Sequence, residues 1–427
     1  MQIDLLAPPF SGHLHPLLAI ARELAAEFDV CVLSTHTALA RIQAAGLRGR
    51  VVLGEDDDRV LMDIANPPHA VRGNPIRMSR QFRSAIALMG RLKAELQVLY
   101  AHERPDLVIA DFTLPAVGLV AQELGIVWWT SMPSPCVIET PDGPPAYMGG
   151  LKPAEGWASG FKHAAYRKTV RSFKQLIFKL HQRQIEELGL RQLYRKDGTE
   201  HIYSSSRLLA LGLQELEFER SWPPAKCFVG PKLYTPATYG GADPVFEPGR
   251  RHVLVTAGTH LRWIKEALSG ATLKAAQAMP EVVFHFTDGD ESQTKTLSQR
   301  NFVRLSYVDY EKHLARYDLV VHHGGAGIMY YCLLLGKPVV VYPVDYDQFD
   351  HAARLEHHGL AVWLRNLGGL QTTVADLLEG RRQLSGCKRF QALGQQVLGD
   401  PSFSSIANLV HADFSVHHLC ESPPDFR

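Results

Sequence analysis

No Cys-x-x-Cys pair occurs anywhere in the chain. Its six cysteines (Cys31, Cys136, Cys227, Cys332, Cys387 and Cys420) stand far apart, which excludes a zinc ribbon and a disulfide framework and fits a reducing cytoplasm. Histidine is plentiful, with 20 residues and pairs at His322-His323, His357-His358 and His417-His418. None has the helical i,i+4 spacing with an intervening Glu that a zinc hydrolase needs, so no metal is expected. A run of about 18 apolar residues is also missing, and with it any expectation of a membrane-crossing helix. The start, Gln2 to Ala7, is strand-like, lacks a basic flank and is broken by Pro8-Pro9, so it does not read as a signal peptide. Net charge is only +1, which gives no reason to expect nucleic acid as a partner.

The charge that is present is unevenly spread. From Arg72 to Lys93 there are basic residues and no acidic one (Arg72, Arg77, Arg80, Arg83, Arg91, Lys93). From Lys162 to Arg183 the same holds (Lys162, Arg167, Lys168, Arg171, Lys174, Lys179, Arg183). The plain reading is two helices with solvated basic faces. The sharper one is a surface for an anionic acceptor or a membrane interface.

At 427 residues, with 46% apolar and 21% charged side chains, the chain reads as a soluble globular protein of more than one core. Strand-like and helix-like segments alternate through the first half. Strands are expected at 3–7, 30–34, 51–53, 107–110 and 126–129, and helices at 14–27, 37–45, 79–102 and 115–124. An irregular stretch rich in Asp, Pro and Asn separates the third strand from the long helix, and a basic helix is expected around 161–187. The alternation restarts with a strand at 252–256, a helix at 260–278 and strands at 282–286, 319–322, 339–342 and 361–364. This pattern implies right-handed crossovers and parallel sheets. Residues 221–250 are rich in Pro and Gly and read as a linker. The expected domains are therefore 1–220 and 251–400, with 401–427 as a C-terminal segment packing back on the first domain. Ligands of doubly wound sheets bind beyond the carboxyl ends of the strands, so the natural site is the cleft between the two halves.

Two constellations carry chemistry. The first strand leads into Gly12-His13-Leu14-His15-Pro16, which sets His13 at a strand-to-helix corner where Pro16 suits the first helical turn. Histidine is the side chain poised to act as a base near neutral pH. The strand at 107–110 ends in Asp111, on the same sheet edge, and a carboxylate beside an imidazole fixes its tautomer and stabilises its charged form. Turn-capping is the alternative for both residues. In the second half, His323-Gly324-Gly325-Ala326-Gly327 follows a strand and opens a helix, which is a natural diphosphate site. Gly258-Thr259 ends another strand and offers a close backbone approach and a hydroxyl, or simply a helix cap. Asp347 and Gln348, past the next strand, suit the hydroxyls of a sugar.

Together these motifs resemble those of the GT-B glycosyltransferases that use nucleotide-diphosphate sugars, the family of plant and bacterial natural-product enzymes. The resemblance spans the chain and implies two facing Rossmann-like α/β domains. It implies that His13 is the general base and Asp111 its partner. It also implies that Gly12, Gly258, Thr259, the turn from His323 to Gly327 and the backbone at Ile328 hold the donor, that Tyr307 and Val308 carry the nucleobase, and that Asp347 and Gln348 bind the sugar. Three positions depart from the pattern. Ile328 stands where Thr or Ser is common, His351 where Asn is common, and Val308-Asp309 where Pro-Gln is common.

The reaction expected from this resemblance is inverting transfer from a UDP- or dTDP-linked sugar to a hydroxyl of a small acceptor, with no metal or other cofactor. The enzyme is expected to be a cytoplasmic monomer or homodimer, with membrane-surface contact not favoured. The alternatives are a nucleotide-sugar epimerase, a membrane-surface lipid glycosyltransferase and an inactive accessory protein of the same fold.

Overall fold

A computed structural model describes residues 1–66, 75–236, 242–290 and 296–420. Arg72 of the first basic stretch and Gly240-Gly241 of the expected linker lie outside the described residues.

The first sheet has the strands β1 (Gln2–Leu6), β2 (Asp29–Ser34), β3 (Arg48–Val51), β4 (Leu107–Asp111), β5 (Val127–Met132), β6 (Arg207–Ala210) and β7 (Lys226–Phe228). All pair in parallel, in the order β3-β2-β1-β4-β5-β6-β7. The second sheet holds β8 (Arg251–Thr256), β9 (Val282–Thr287), β10 (Leu297–Gln299), β11 (Phe302–Leu305), β12 (Leu319–His322), β13 (Val339–Val341) and β14 (Ala361–Trp363). Its order is β10-β11-β9-β8-β12-β13-β14, with only the edge strand β10 antiparallel. The central strands β4 and β9 are buried along their whole length, as apolar runs covered on both faces must be.

Helices of the first half are α1 (Ser11–Leu24), α2 (His36–Ala44), α3 (Glu55–Ala65), α4 (Pro75–His102), α5 (Pro115–Glu123), α6 (Trp157–Leu180) and α7 (Gln182–Glu187). Those of the second are α8 (Arg262–Ala278), α9 (Tyr310–His313), α10 (Ala326–Leu334), α11 (Gln348–His357), α12 (Leu370–Leu378) and α13 (Cys387–Gly399), followed by α14 (Pro401–Ser404) and α15 (Ile406–Cys420). Helix α1 shows why they form. Its Leu14, Leu17, Leu18, Ala21 and Leu24 recur at helical spacing and are fully buried against the first sheet.

The chain passes between the halves four times. Leu213, Leu216 and Phe218, just after β6, pack in the core of the second half. The chain then returns to form β7 inside the stretch expected to be linker, and crosses again towards β8. Finally α15 comes back, burying Ile406, Ala407 and Val410 against α1 and its sheet. Glu23 of α1 accepts from the Ile406 amide at 2.5 Å and from Lys232 Nζ at 2.8 Å, and Arg207 pairs with Asp413. Five cysteines are free, and no His/Cys/Asp/Glu cluster with metal-ligand geometry occurs among the described residues. No helix among them is long and apolar enough to cross a membrane.

Candidate active site

His13 lies in the first turn of α1, whose opening amides bond to Phe10 at 2.7 and 2.9 Å. That turn begins at Ser11, so Pro16 sits inside the helix and not in its first turn. Its missing N–H leaves the Gly12 carbonyl without the usual i→i−4 donor. His13 Nδ1 donates to both oxygens of Asp111, at 3.0 and 3.1 Å. Asp111 ends β4, is fully buried, and also accepts from the Thr113 amide at 3.0 Å and from the Thr113 hydroxyl. With Nδ1 committed, Nε2 is the free nitrogen of the ring. The imidazole is a quarter exposed and rests near Phe112, centroids 5.6 Å apart. Burial pulls its pKa down, but the Asp111 charge and hydrogen bond, with Asp347 across the cleft, carry it above the ordinary value.

The expected donor residues gather where β8 and β12 lie side by side, with Thr256 opposite His322. His323 leaves the end of β12 and its ring fills the gap between two glycines. A Cβ on Gly258 would lie 2.5 Å from His323 Cε1, and one on Gly325 would lie 2.6 Å from Nε2. Gly258, with φ +73°, therefore makes room for the His323 ring. Gly324, with φ +96°, is held from both sides. Its N–H donates to His322 Nδ1 at 2.9 Å, and its carbonyl accepts from His351 Nδ1 at 2.7 Å. His351, the departure from the family pattern, thus ties α11 to the glycine-rich turn. Beyond the turn, the opening amides of α10 at Ala326, Gly327 and Ile328 have no partner within their own helix. The Ile328 side chain points into the core of the second half, where a hydroxyl would have no function.

Other expected donor residues sit differently. The side chains of Tyr307 and Val308 are buried, Val308 within the core cluster, so the backbone is what this segment offers a nucleobase. Gln348 is buried and its Oε1 accepts from the Val344 and Asp345 amides at 2.9 and 3.1 Å, shaping the exit from β13. The Asp347 carboxylate is half-buried and makes no hydrogen bond among the described residues. Thr259 does not cap α8; the cap position is Leu261, in the left-handed region at φ +57°.

Three residues escaped the sequence reading. Lys265 is buried on the inner side of α8 and its ammonium donates to the carbonyls of Thr259, at 3.3 Å, and Asp288. Burial pulls it down to about 8, which leaves it charged at neutrality, close to the glycine-rich turn. His260 meets Phe10 of the first half edge-on, with centroids 5.1 Å apart. Asn66, at the end of α3, joins it by accepting from His260 Nδ1 at 3.3 Å and the Leu261 amide at 3.2 Å. These contacts bring the carboxyl edges of the two sheets face to face. Burial pulls both His323 and His260 down to about 4, so each is a neutral imidazole near pH 7. The signals for these residues were faint: a lysine one turn into a helix, a histidine after Gly-Thr, and an asparagine closing an acid-led helix.

Comparison with known proteins agrees with this architecture. Residues 252–396 match the glycosyltransferase family 28 C-terminal domain. The 4'-demethylrebeccamycin synthase of Lentzea aerocolonigenes is 26% identical over 378 residues, 84% of this chain and 86% of that protein. The zeaxanthin glucosyltransferase of Pseudescherichia vulneris is 26% identical over 386 residues, 88% and 89% of the two chains. Among solved structures, the glycosyltransferase of kitacinnamycin superposes with a TM-score of 0.72 at 20% identity, covering 96% of this chain and 98% of that one. The glycosyltransferase VinC, solved in complex with dTDP, superposes at 0.64 with 16% identity, covering 98% and 100%. Two facing Rossmann-like halves, a glycine-rich turn at a helix start and these relatives lead to one conclusion: the chain is a glycosyltransferase of GT-B fold, with a second half that matches the glycosyltransferase family 28 C-terminal domain.

Proposed function

We propose that this enzyme moves a sugar, with inversion, from a nucleoside-diphosphate sugar to a hydroxyl of a small natural-product acceptor. The observation that carries the reading is the hydrogen-bonded pair of His13 and buried Asp111 at the carboxyl edge of the first sheet. In this reaction His13 Nε2 takes the proton of the acceptor hydroxyl as the oxygen attacks the anomeric carbon. Asp111 stabilises the imidazolium that forms. The nucleoside diphosphate leaves from the opposite face, and its growing charge meets the opening amides of α10 and the neutral N–H of His323. Gly258, Gly324 and Gly325 hold these groups close, Asp347 receives sugar hydroxyls, and Gln348 supports the turn that presents Asp347. No metal or cofactor is part of this scheme.

The first half, through about residue 220, takes the acceptor, and the second half, from about 251 to 400, takes the donor. A thymidine diphosphate sugar is the donor to test first, because VinC, SsfS6 and the spinosyn rhamnosyltransferase SpnG were all solved with that nucleotide. The relatives named for a rebeccamycin and a carotenoid support a hydrophobic acceptor. General-base catalysis contributes roughly 10²–10⁴-fold. His13→Ala should therefore lower turnover by about that factor while leaving dTDP affinity, measured by calorimetry, within about threefold. Loss of nucleotide binding with turnover per bound donor preserved would refute the role.

A further inference from the structure

Helix α6 is barely packed. Only His163 of its 24 residues is buried. Five of the fifteen large apolar side chains that stand exposed among the described residues lie on it: Trp157 at 89%, Phe161 at 76%, Phe173, Leu176 and Leu180. They form two groups along the helix. Trp157 and Phe161 are four residues apart, and Phe173, Leu176 and Leu180 are spaced by three and four, so each group shares a side. No acidic residue lies between Trp157 and Leu180. Its inner cations are used: Arg171 and Lys174 pair with Glu139, and Arg167 donates to the Asp142 and Gly143 carbonyls. Lys162, Lys168 and Lys179 are exposed and hold no ion pair among the described residues.

The second basic stretch joins the first in space. Phe82 of α4 contacts His181, just past the end of α6, with ring centroids 5.7 Å apart. The start of α4 repeats the same composition, with Ile76 (74% exposed) and Phe82 beside exposed Arg80 and Arg83. Two segments far apart in sequence thus make one surface of aromatic and aliphatic side chains interspersed with free cations.

We propose that the outer side of α6 and the start of α4 form a docking surface for an anionic lipid bilayer, on which the enzyme lies peripherally. A helix of this length extends about 36 Å. Apolar side chains along its length with lysines between them suit a flat interface, where rings enter the headgroup region and ammonium groups meet lipid phosphates. A second copy of the chain fits poorly, because a two-fold contact through this surface would set its cations against themselves.

The test is flotation of the full chain with phosphatidylcholine vesicles and with vesicles of equal parts phosphatidylcholine and phosphatidylglycerol. Each juxtaposed cation favours an anionic surface by about fivefold. Binding to the anionic vesicles should therefore be roughly tenfold or more the stronger, and should weaken with salt. Lys168→Glu with Lys179→Glu, and separately Trp157→Ser with Phe161→Ser, should each weaken it by roughly tenfold or more. Both variants should keep the parent's unfolding midpoint and dTDP affinity, which shows that the fold survives. Binding that ignores lipid charge, no binding to either vesicle, or variants that bind like the parent would overturn the proposal. So would a dimer in solution that Trp157→Ser with Phe161→Ser dissociates, since the surface would then belong to a second copy.

Discussion

Removing the Glu217 carboxylate should loosen the two halves of the enzyme together. Glu217 is buried in the first crossing between the halves, and its Oε2 lies 2.8 Å from Nε of Arg354 on α11 and 2.8 Å from Nη2 of Arg220. Arg220 continues the link to the Pro135 and Ile138 carbonyls, at 2.9 and 3.1 Å, while Arg354 Nη1 donates to the Asp350 carbonyl at 3.0 Å. One carboxylate thus balances two guanidiniums in a site closed to water. Burial pulls Arg220 down to about 10 even with Glu217 present, but a guanidinium keeps its proton inside proteins, so both arginines stay charged at neutrality when the carboxylate is gone. Breaking a buried pair from one side costs about 3–5 kcal/mol, because the partner is left charged and unpaired. Glu217→Ala should lose at least that much in urea unfolding followed by tryptophan fluorescence. Its dTDP affinity should fall too, because α11 carries His351, which holds the Gly324 carbonyl of the glycine-rich turn. Glu217→Met combined with Arg354→Met removes one orphaned charge along with the carboxylate. The double variant should therefore be more stable than the sum of the two single losses. A Glu217→Ala loss below about 1 kcal/mol, or strict additivity in the double variant, would refute the balance argument.

Two further outcomes follow from the packing. Gly258→Ala places a methyl 2.5 Å from the His323 ring at a left-handed φ of +73°, so the ring must move. The expected result is dTDP binding at least roughly tenfold weaker by calorimetry, one lost hydrogen bond to a charged group being worth about 1.5–3 kcal/mol; a change under about threefold would mean that His323 does not touch the nucleotide. Asp4, in the middle of β1, is raised from 3.8 to about 6, chiefly by burial, and its Oδ1 has no partner among the described residues. A raised carboxyl binds its proton more tightly folded than unfolded, so stability falls as pH rises from about 4 to about 6 and stays lower above that, by up to about 3 kcal/mol. Asp4→Asn should therefore stabilise the protein by about 1–3 kcal/mol at pH 7.5 and by little at pH 4. Equal effects at both pH values would show that the site is not ionising.

Most of the frame was legible because it rests on local signals. Apolar runs between turn residues marked β1, β2, β4, β8, β9, β12, β13 and β14, and the observed strands lie within a few residues of those expected. Helix α3 was lost in a stretch judged irregular by its Asp content, although acids in a first turn favour a helix. Strands β6 and β7 were missed because each is short and is fixed by the sheet it joins, and β7 by a chain that leaves the first half and comes back. The edge strand β10 and its neighbour β11 likewise depend on pairing, which no window of sequence contains. At the site, strand ends could be read and cross-domain partners could not. His13 and Asp111 announce themselves at the ends of adjacent strands. Asn66 with His260, or His351 with Gly324, are contacts between segments far apart in sequence, and only folding creates them. The surface on α6 has the same origin, since its basic residues were visible while the exposure of Trp157 and Phe161 was not.

The three imidazoles around the cleft show how one side chain type serves different ends. All three are taken largely from water, which favours their neutral forms. Only His13 has a buried carboxylate on its Nδ1, and only His13 is carried above the ordinary histidine value. Burial holds His260 and His323 near 4, the Lys265 charge adds to it, and the Asp347 charge near His323 does not offset it. Under the proposed reaction this division is the useful one. The base must accept a proton and hold it while the bond forms, so stabilising its cation lowers the barrier. A group facing the diphosphate has the opposite need. A permanent cation there would grip the intact donor and the departing diphosphate alike, strengthening binding without speeding transfer. A neutral N–H set beside the start of α10 is matched instead to charge that grows as the bond breaks. Exchanging the environments would reverse the roles: a buried carboxylate hydrogen-bonded to His323, as Asp111 is to His13, would stabilise its cation, and loss of Asp111 would leave His13 as reluctant a base as His260.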